Sequence, residues 1–570
     1  MPTLTQKFWL PLAILCLAWG LPVVQGAVVF PPPPTPQEQQ PKVPHQFDMT
    51  GYIQEATVDP TLCPTLAPEL QGGHVTLNNI TVTVPCNTIL QLPANTLTWA
   101  QLISPPPTGF APPNTPAGGL VGYEIHVQGN ILNTPLPPGV ASPYIAGLIF
   151  VSFELLNGGA GIITHIDYTT GELSVQGIGG APDAFVRIND PIGRHGLVHG
   201  PGAPPTGTFE DTFDPRFTPD TANPTIRSMT GYPMCIPRHD PFQPIAQGGL
   251  GDDPLCPQGN RPIAAPSCKF PAGFTPAAAP IAGQYCKTFQ MDPPPKPPVP
   301  HTGCAQAPCP TDATQQAPFE IGDFIAFQGT MKSDSRDGHH FIAAHTITAQ
   351  LGIFTSPGVR PAYVAIEGTL VGTTADTAVA GVIIIEPTNK FFKVIGFTTD
   401  PSALVDVFAQ DADPRTGVLT DRLIATLQPD PVAAGPLGRF RLLNPPPTIF
   451  NRGALVRNYK VTTRTACGNN NRPCLIPNPP GVPPQCPNGD ALCANGLVDG
   501  QYSAPNFDFI FPETRQPGEP IVPANFQDMP FLFCGSGRLD PTDSKSPVAG
   551  PLTPAPWQIP PQSAPVSHCP

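Results

Sequence analysis

Proline limits this chain more than any other residue. With 86 prolines and 54 glycines in 570 residues, one position in four resists a regular hydrogen-bonded ladder. Proline has no backbone N–H and clashes inside a helix, and glycine loses the most backbone entropy on ordering. Long helices are therefore excluded, and regular structure has to come as short strands between proline-rich loops. A hydrophobic fraction of 40% works the other way and supplies enough apolar side chains to build cores. The strand signal is local: Phe324-Ile-Ala-Phe-Gln-Gly, Phe341-Ile-Ala-Ala-His-Thr-Ile-Thr and Gly381-Val-Ile-Ile-Ile-Glu are β-branched or aromatic runs bounded by Gly, Asp and Pro. No window carries the spacing of an amphipathic helix. The fold class expected is mainly β: two tandem barrel or sandwich modules, each followed by an irregular Cys/Pro-rich coda.

The tandem arrangement rests on self-similarity. T-L-T-W-A-Q-L-I-S from Thr96 parallels T-I-T-A-Q-L-G-I-F from Thr346, and Y-E-I-H-V-Q-G-N-I-L from Tyr123 parallels Y-V-A-I-E-G-T-L from Tyr363. D-Y-T-T-G-E-L from Asp167 is answered by D-P-R-T-G-V-L from Asp413, and V-R-I-N-D-P from Val186 by F-R-L-L-N-P from Phe440. Cysteine-containing stretches at Cys235 and Cys256 likewise have counterparts at Cys474 and Cys486. Anchors in one order point to a unit written twice. The boundaries that follow are a Pro-rich linker at 27–45, a β module at 46–200 with a coda at 201–316, and a second module at 317–453 with a coda at 454–570. D-x-x-T-G-x-L reads as a hairpin, with Asp accepting backbone hydrogen bonds and Gly171 or Gly417 taking a positive φ.

Residues 1–26 have the form of a secretory leader: Lys7, the apolar run Phe8 to Val24, and Val24 and Gly26 before the cut. No later segment of the sequence reads as a membrane span. Cys16 leaves with the leader, so 14 of the 15 cysteines remain, an even number that predicts seven disulfides in an oxidising compartment. They fall in even groups: Cys63 and Cys86; Cys235, Cys256, Cys268, Cys286, Cys304 and Cys309; Cys467, Cys474, Cys486 and Cys493; Cys534 and Cys569. Pairing within groups is expected, with connectivity open. Zinc knuckle spacing is missing. The net charge of −13 and the scattered Lys and Arg give phosphate backbones nothing to bind, which excludes nucleic acid as a partner.

The stretches G-Y-P-M-C-I-P-R from Gly231, D-P-L-C-P-Q-G-N-R-P from Asp253 and A-P-F-E-I-G-D-F-I from Ala317 resemble uncharacterised, Pro-rich secreted proteins of filamentous fungi. That resemblance implies secretion and no particular activity. The run I-G-D-F-I-A-F-Q-G-T-M from Ile321 resembles the first strands of an oligonucleotide-binding-type (OB) barrel, a small Greek-key barrel.

Candidate chemistry is sparse. H-E-x-x-H, G-x-S-x-G and phosphate-cradling loops are missing from the sequence. Glu210, Asp211, Asp214 and Asp220 make a dense carboxylate stretch that could serve a glycosidase or hold calcium, with solvated loop carboxylates as the plainer reading. His339 and His345 would share one strand face, with His340 on the other, and are candidate metal ligands beside the plainer reading of satisfied imidazoles on a half-exposed strand; His195 and His199, four apart, would suit a metal only on a helix, which Gly193, Gly196 and Gly200 argue against. Asp406, Asp411, Asp413 and Asp421 surround the second hairpin. Arg187 and Arg441 recur in apolar strands and read as ties to a loop carbonyl or carboxylate. Trp99 and Trp557 are the tryptophans left outside the leader, few for a carbohydrate platform. Asn79 opens the sequon Asn79-Ile80-Thr81, expected on a strand with the side chain outward. No cofactor is indicated. The reading is a secreted, non-catalytic protein of the medium, cell surface or wall, stapled by disulfides and binding an extracellular protein or glycan. A glycan hydrolase using the loop carboxylates, and an accessory to a secreted enzyme or extracellular biosynthetic step, are the alternatives.

Overall fold

The computed structural model describes stretches between residues 45 and 510, chiefly 45–62, 71–103, 123–131, 142–190, 223–235, 261–291, 316–430, 437–443, 458–464 and 499–510, with short breaks inside several of them. All of these belong to one compact unit, 42–513 with 522–570. Strands supply nearly all of the regular structure, as the proline and glycine content requires; the one α-helix among the described residues, α1 (Trp99–Ile103), has 5 residues. No helix there is long and apolar enough to cross a membrane.

The first β assembly opens with β1 (His45–Tyr52) and β2 (Glu55–Val58), two halves of one strand bent at Ile53 and Gln54. The hairpin β3 (Gly73–Leu77) and β4 (Ile80–Val84) follows, then β5 (Ile89–Gln91), β6 (Thr96–Thr98) and α1, and finally β7 (Glu124–Ile131) and β8 (Tyr144–Val151). β1 pairs with β7, β7 with β8, β4 with β3 and β3 with β2, all antiparallel, while β8 runs parallel to β4. Both ends of this path are halves of the same strand, and Ile53 N donates to Tyr123 O and Gln54 N to Thr76 O across the bend. The sheet thus curls back on itself in the order first, second, third, fifth, fourth, first, which is the order of an OB barrel. Alternation fills its interior: Val75 and Leu77, Val82 and Val84, Ile125 and Val127, Ile149 and Val151 all point inward. Each such buried side chain contributes roughly 1.5–3 kcal/mol.

A second barrel repeats that order and closes completely. Its strands are β9 (Gly158–Asp167), β10 (Glu172–Gly177) and β11 (Ala184–Ile188), then, after an insertion carrying β12 (Ile226–Ser228) and β13 (Thr288–Gln290), β14 (Phe324–Ser333) and β15 (His340–Ala349), with β16 (Gly352–Phe354) beyond. β9 pairs with β10, β10 with β11, β15 with β14 and β14 with β9, all antiparallel, and β11 runs parallel to β15. The run from Ile321 is therefore the fourth strand of an OB-type barrel and not the first. Its Gln-Gly pair shows why: both fourth strands meet a bulge of the fifth strand there, the register shifting between Gln128 and Gly129 of β7 and between Gln328 and Gly329 of β14. A Cβ on Gly129 would lie 2.0 Å from Ile145 O and one on Gly329 2.3 Å from Ala343 O, so the partner strand's approach admits only glycine. The insertion is tied to the barrel by Arg261, whose guanidinium donates to both oxygens of Asp323 at 2.5 and 2.8 Å and to Cys286 O at 2.8 Å. Cys268 and Cys286 form a disulfide with Cα atoms 5.8 Å apart, a pairing inside the expected group. Cys235 is also disulfide-bonded. The other expected disulfide cysteines lie outside the described residues.

The remaining strands are β17 (Val364–Val379), β18 (Val382–Thr398), β19 (Val405–Ala412), β20 (Leu419–Leu427), β21 (Arg439–Leu443), β22 (Asn458–Thr463), β23 (Gln501–Pro505) and β24 (Asp508–Ile510). They form two four-stranded sheets, β21-β18-β17-β24 and β20-β19-β22-β23, around one core that includes Val394, Val407, Phe440, Tyr459 and Val461. Leu148 and Phe150 on the outer side of β8 join that core.

Three expectations need adjusting. The second barrel takes β9–β11 from the span drawn as the first module and β14 and β15 from the span drawn as the second, so it crosses the boundaries at 200/201 and 316/317. Of the repeat anchors, Thr96 to Ser104 covers β6 and α1 whereas Thr346 to Phe354 covers the end of β15 and β16. Asp167 to Leu173 and Asp413 to Leu419 do both connect antiparallel strands, but β11 pairs with β10 and β15 while β21 pairs with β18. Finally, Asn79 is not in a strand: Asn78 (φ 50°) and Asn79 (φ 61°) form the two-residue turn between β3 and β4, the mirror-image turn that matches strand twist and favours Asn.

Candidate functional site

The densest polar constellation lies on the outer face of the second barrel, where β10, β11 and the β14–β15 hairpin meet. Its geometry begins with the Asp167 to Gly171 turn, in which Gly171 (φ 71°) donates its N–H to Asp167 O at 2.8 Å and Thr170 Oγ1 donates to Asp167 Oδ2 at 2.8 Å. This delivers Glu172 to the first position of β10, opposite Arg187 on β11, which in turn lies opposite Ala343 on β15. Val186 and Ile188 point into the core, so the pleat turns Arg187 outward.

Arg187 is nonetheless fully buried. Its Nη2 reaches Glu172 Oε2 and Asp334 Oδ2, each at 2.7 Å, Nε donates to Glu172 Oε2 at 2.9 Å, and the guanidinium stacks 4.2 Å over Phe341. His339 completes the group, with Nε2 2.9 Å from Glu172 Oε2 and Nδ1 2.6 Å from Asp337 Oδ1. Burial alone would push His339 down, but the hydrogen bonds and charges of Glu172 and Asp337 outweigh it and hold the imidazole above its ordinary value. The backbone and ring of His339 donate to Asp337 and keep that carboxyl below the usual range. Three carboxylates thus face one guanidinium and one imidazole. Asp334, Asp337 and His339 have ligand atoms within 4.8 Å of one another, yet the positive charge a cation would bring is already supplied by Arg187. The network braces the β14–β15 hairpin against β11.

Above this brace, Phe185 is 42% exposed and meets the His339 ring edge-on, centroids 5.4 Å apart. Beside it the barrel end opens into a pocket of about 340 Å³, where β9, β11 and β15 begin and β10 and β14 finish. The pocket is lined by Gly158, Gly159, Val175, Ala184, Phe185, Phe327, Met331, Phe341 and Ile342, with Asn157, Asp183 and His340 as polar members.

The expected site residues land unevenly. Glu210, Asp211, Asp214 and Asp220 lie outside the described residues, as do His199, Asp413 and Trp557. His339 and His345 do not meet: the strand separates them by six residues, about 20 Å, and His345 is buried inside a β-bulge, opposite neither Gln328 nor Gly329. Its ring stacks on Phe217 with centroids 6.0 Å apart, its Nδ1 lies 3.0 Å from Thr346 Oγ1, and burial pushes it down to about 3. His195 is likewise buried, its N–H donating to Asp190 Oδ2. Arg187 ties loop carboxylates as expected, whereas Arg441 is exposed. Trp99 is a core residue whose indole donates to Thr57 O at 2.9 Å, and no platform. Asp406 pairs with Arg464 at 2.6 Å and Asp421 with Lys460 at 2.6 Å. Sequence reading missed Phe185, Glu172, Asp334 and Phe341. The alternation in Ala184-Phe-Val-Arg-Ile could have placed Phe185 beside Arg187 on the outward face.

A second, smaller constellation sits on the first barrel, where Asp48 accepts from Gln128 Nε2 at 2.7 Å and lies 2.7 Å from His126 Nε2. Burial would raise Asp48, but these bonds outweigh it and hold the carboxyl below its usual range. No protein-family profile matches the chain, and no curated protein matches it.

Proposed function

We propose that this chain is a secreted, non-catalytic binding protein of the extracellular medium or wall, and that it holds a neutral glycan on the outer face of its second barrel. The observation that carries the reading is Phe185, an exposed aromatic on the third strand of an OB-type barrel, set on a brace in which every carboxylate is held by Arg187 or His339. Barrels of this order take oligonucleotides or oligosaccharides on the second and third strands and their flanking loops. The acidic charge disfavours the nucleic acid and leaves the sugar. An aromatic ring stacks on the apolar face of a pyranose, while Ser174 and Gln176, on the outward side of β10, supply hydrogen-bonding groups nearby.

The test is titration of the secreted full chain with chitohexaose and laminarihexaose by calorimetry, together with assay of the same mixtures for cleavage. Binding of at least one, weakened about tenfold by Phe185→Ala, which corresponds to roughly 1.4 kcal/mol, and unchanged by Asp421→Asn is the expected result. Cleavage of either sugar, or binding indifferent to Phe185, overturns the reading.

Secretion carries its own marker. The Asn79 side chain stands exposed in a hairpin turn and uses Oδ1, not the nitrogen that glycosylation modifies, to accept from Gln54 Nε2 at 3.2 Å. A eukaryotic host is expected to attach one N-glycan there. Endoglycosidase treatment should then lower the mass of the protein by one glycan and leave Asn79→Gln unchanged; an unmodified Asn79 in the secreted protein contradicts the expectation.

A further inference from the structure

We infer that the end of the second barrel is a further binding site, adjoining the proposed glycan face at Phe185, for one small uncharged aromatic molecule bearing a hydroxyl. The pocket of about 340 Å³ is roughly twice the 150 Å³ cavity that takes benzene, so it has room for about a dozen heavy atoms. Such volumes in the mouths of β-barrels are ordinary ligand sites.

The lining selects the chemistry. Val175, Phe327 and Ile342 from the barrel interior form the floor, and Phe185 and Phe341 the rim. A sugar lowered onto this floor would leave its hydroxyls without partners, so the pocket is unsuited to the glycan proposed for the outer face. Two glycines flatten one wall. At Gly159 a Cβ would meet the Phe327 ring at 3.0 Å, so glycine lets that ring face the space. Charged ligands fit poorly: an anion would meet Asp183, and either charge would lose water against apolar walls. Asp183 Oδ1 already accepts from Gly177 N at 3.3 Å, and Asn157 Oδ1 from Tyr52 OH at 3.2 Å. His340, exposed at the rim, uses Nδ1 toward Ser333 Oγ at 2.9 Å, and its other ring nitrogen is the group that would take one ligand hydroxyl. Planar aromatic walls and one polar atom at the rim therefore describe a phenol-like guest.

The probe is 2-naphthol, with 2-naphthoate as the charged counterpart, titrated into the full secreted chain and followed by naphthol fluorescence and calorimetry. The expected result is one site with Kd on the order of 10–100 µM and naphthoate at least tenfold weaker. Ala184→Phe, which fills the pocket, should weaken naphthol at least tenfold; should that variant not fold, Met331→Trp fills it from β14. Leu423→Ser removes an exposed apolar residue elsewhere and should leave binding unchanged. No binding up to 1 mM, equal affinity for naphthoate, or binding indifferent to both filling variants overturns the inference. Glycan binding is read with hexasaccharides and Phe185→Ala, and pocket binding with naphthol and the two filling variants, so the failure of one reading is distinguishable from the failure of the other.

Discussion

Replacing Arg187 with methionine is expected to lower the unfolding free energy by about 3–5 kcal/mol, the usual consequence of removing one partner from a buried ion pair. The loss comes less from the missing attraction than from what remains. Asp334 has no solvent exposure and Glu172 little, so two carboxylates would stay behind without the guanidinium that lies 2.7 Å from each. Total stabilities of about 5–15 kcal/mol make this a large fraction. The measurement is urea unfolding at pH 7. Arg187→Met combined with Asp334→Asn and Glu172→Gln should regain much of the loss, because the uncompensated charges go with it. A single variant within about 1 kcal/mol of the wild type would show that the network is solvated and is no brace.

Acid is expected to destabilise the fold by about 3 kcal/mol between pH 6.5 and pH 4, at about 1.4 kcal/mol per pH unit. The group responsible is His345. Unfolded, its imidazole takes a proton below about 6.5; folded, burial holds it at about 3. Between those values the unfolded chain carries the extra proton, so stability falls as the pH falls. His339 has the opposite sign: its folded value is raised, so its contribution is complete below the unfolded value and fades as pH rises through the folded one. The lowered carboxyls Asp48, Asp59 and Asp337 lose their contribution only under more acidic conditions, which leaves the window to His345. Urea midpoints across this range should slope for the wild type and flatten for His345→Phe, whose ring keeps the stack on Phe217. Equal slopes in both proteins would assign the acid sensitivity elsewhere.

Much of this fold could be read from local signals, and what could not was long-range. Proline and glycine punctuation with β-branched runs indicated strands, and Asp167-Tyr-Thr-Thr-Gly indicated a turn, because both depend on neighbouring residues only. The parallel pairings of β4 with β8 and β11 with β15 carry no such signal: Val82 meets Tyr144, and Val186 meets Ile342 across a long insertion. The same limit governs the site. Arg187 was recognisable as a tie because charge inside an apolar strand demands a partner, but Asp334 lies 147 residues away. Asn79 was misplaced because Asn-Asn between β-branched runs can continue a strand or reverse it; the positive φ at both residues is what distinguishes the two. Strict alternation put His345 on the same half-exposed strand face as His339, and the bulge breaks that alternation.

The insertion between β11 and β14 also sets the order in which a growing chain can become protein. The first barrel is complete once Val151 has been made. The second has three strands in place at Ile188 but lacks β15, the other partner of β11, until synthesis reaches Ala349. At 5–20 residues per second that interval lasts about 8–32 s. Throughout it β11 presents an open edge to its surroundings, a template on which a neighbouring nascent chain can add a strand. A finished first barrel beside an unfinished second one is therefore the species that persists while the insertion is being made.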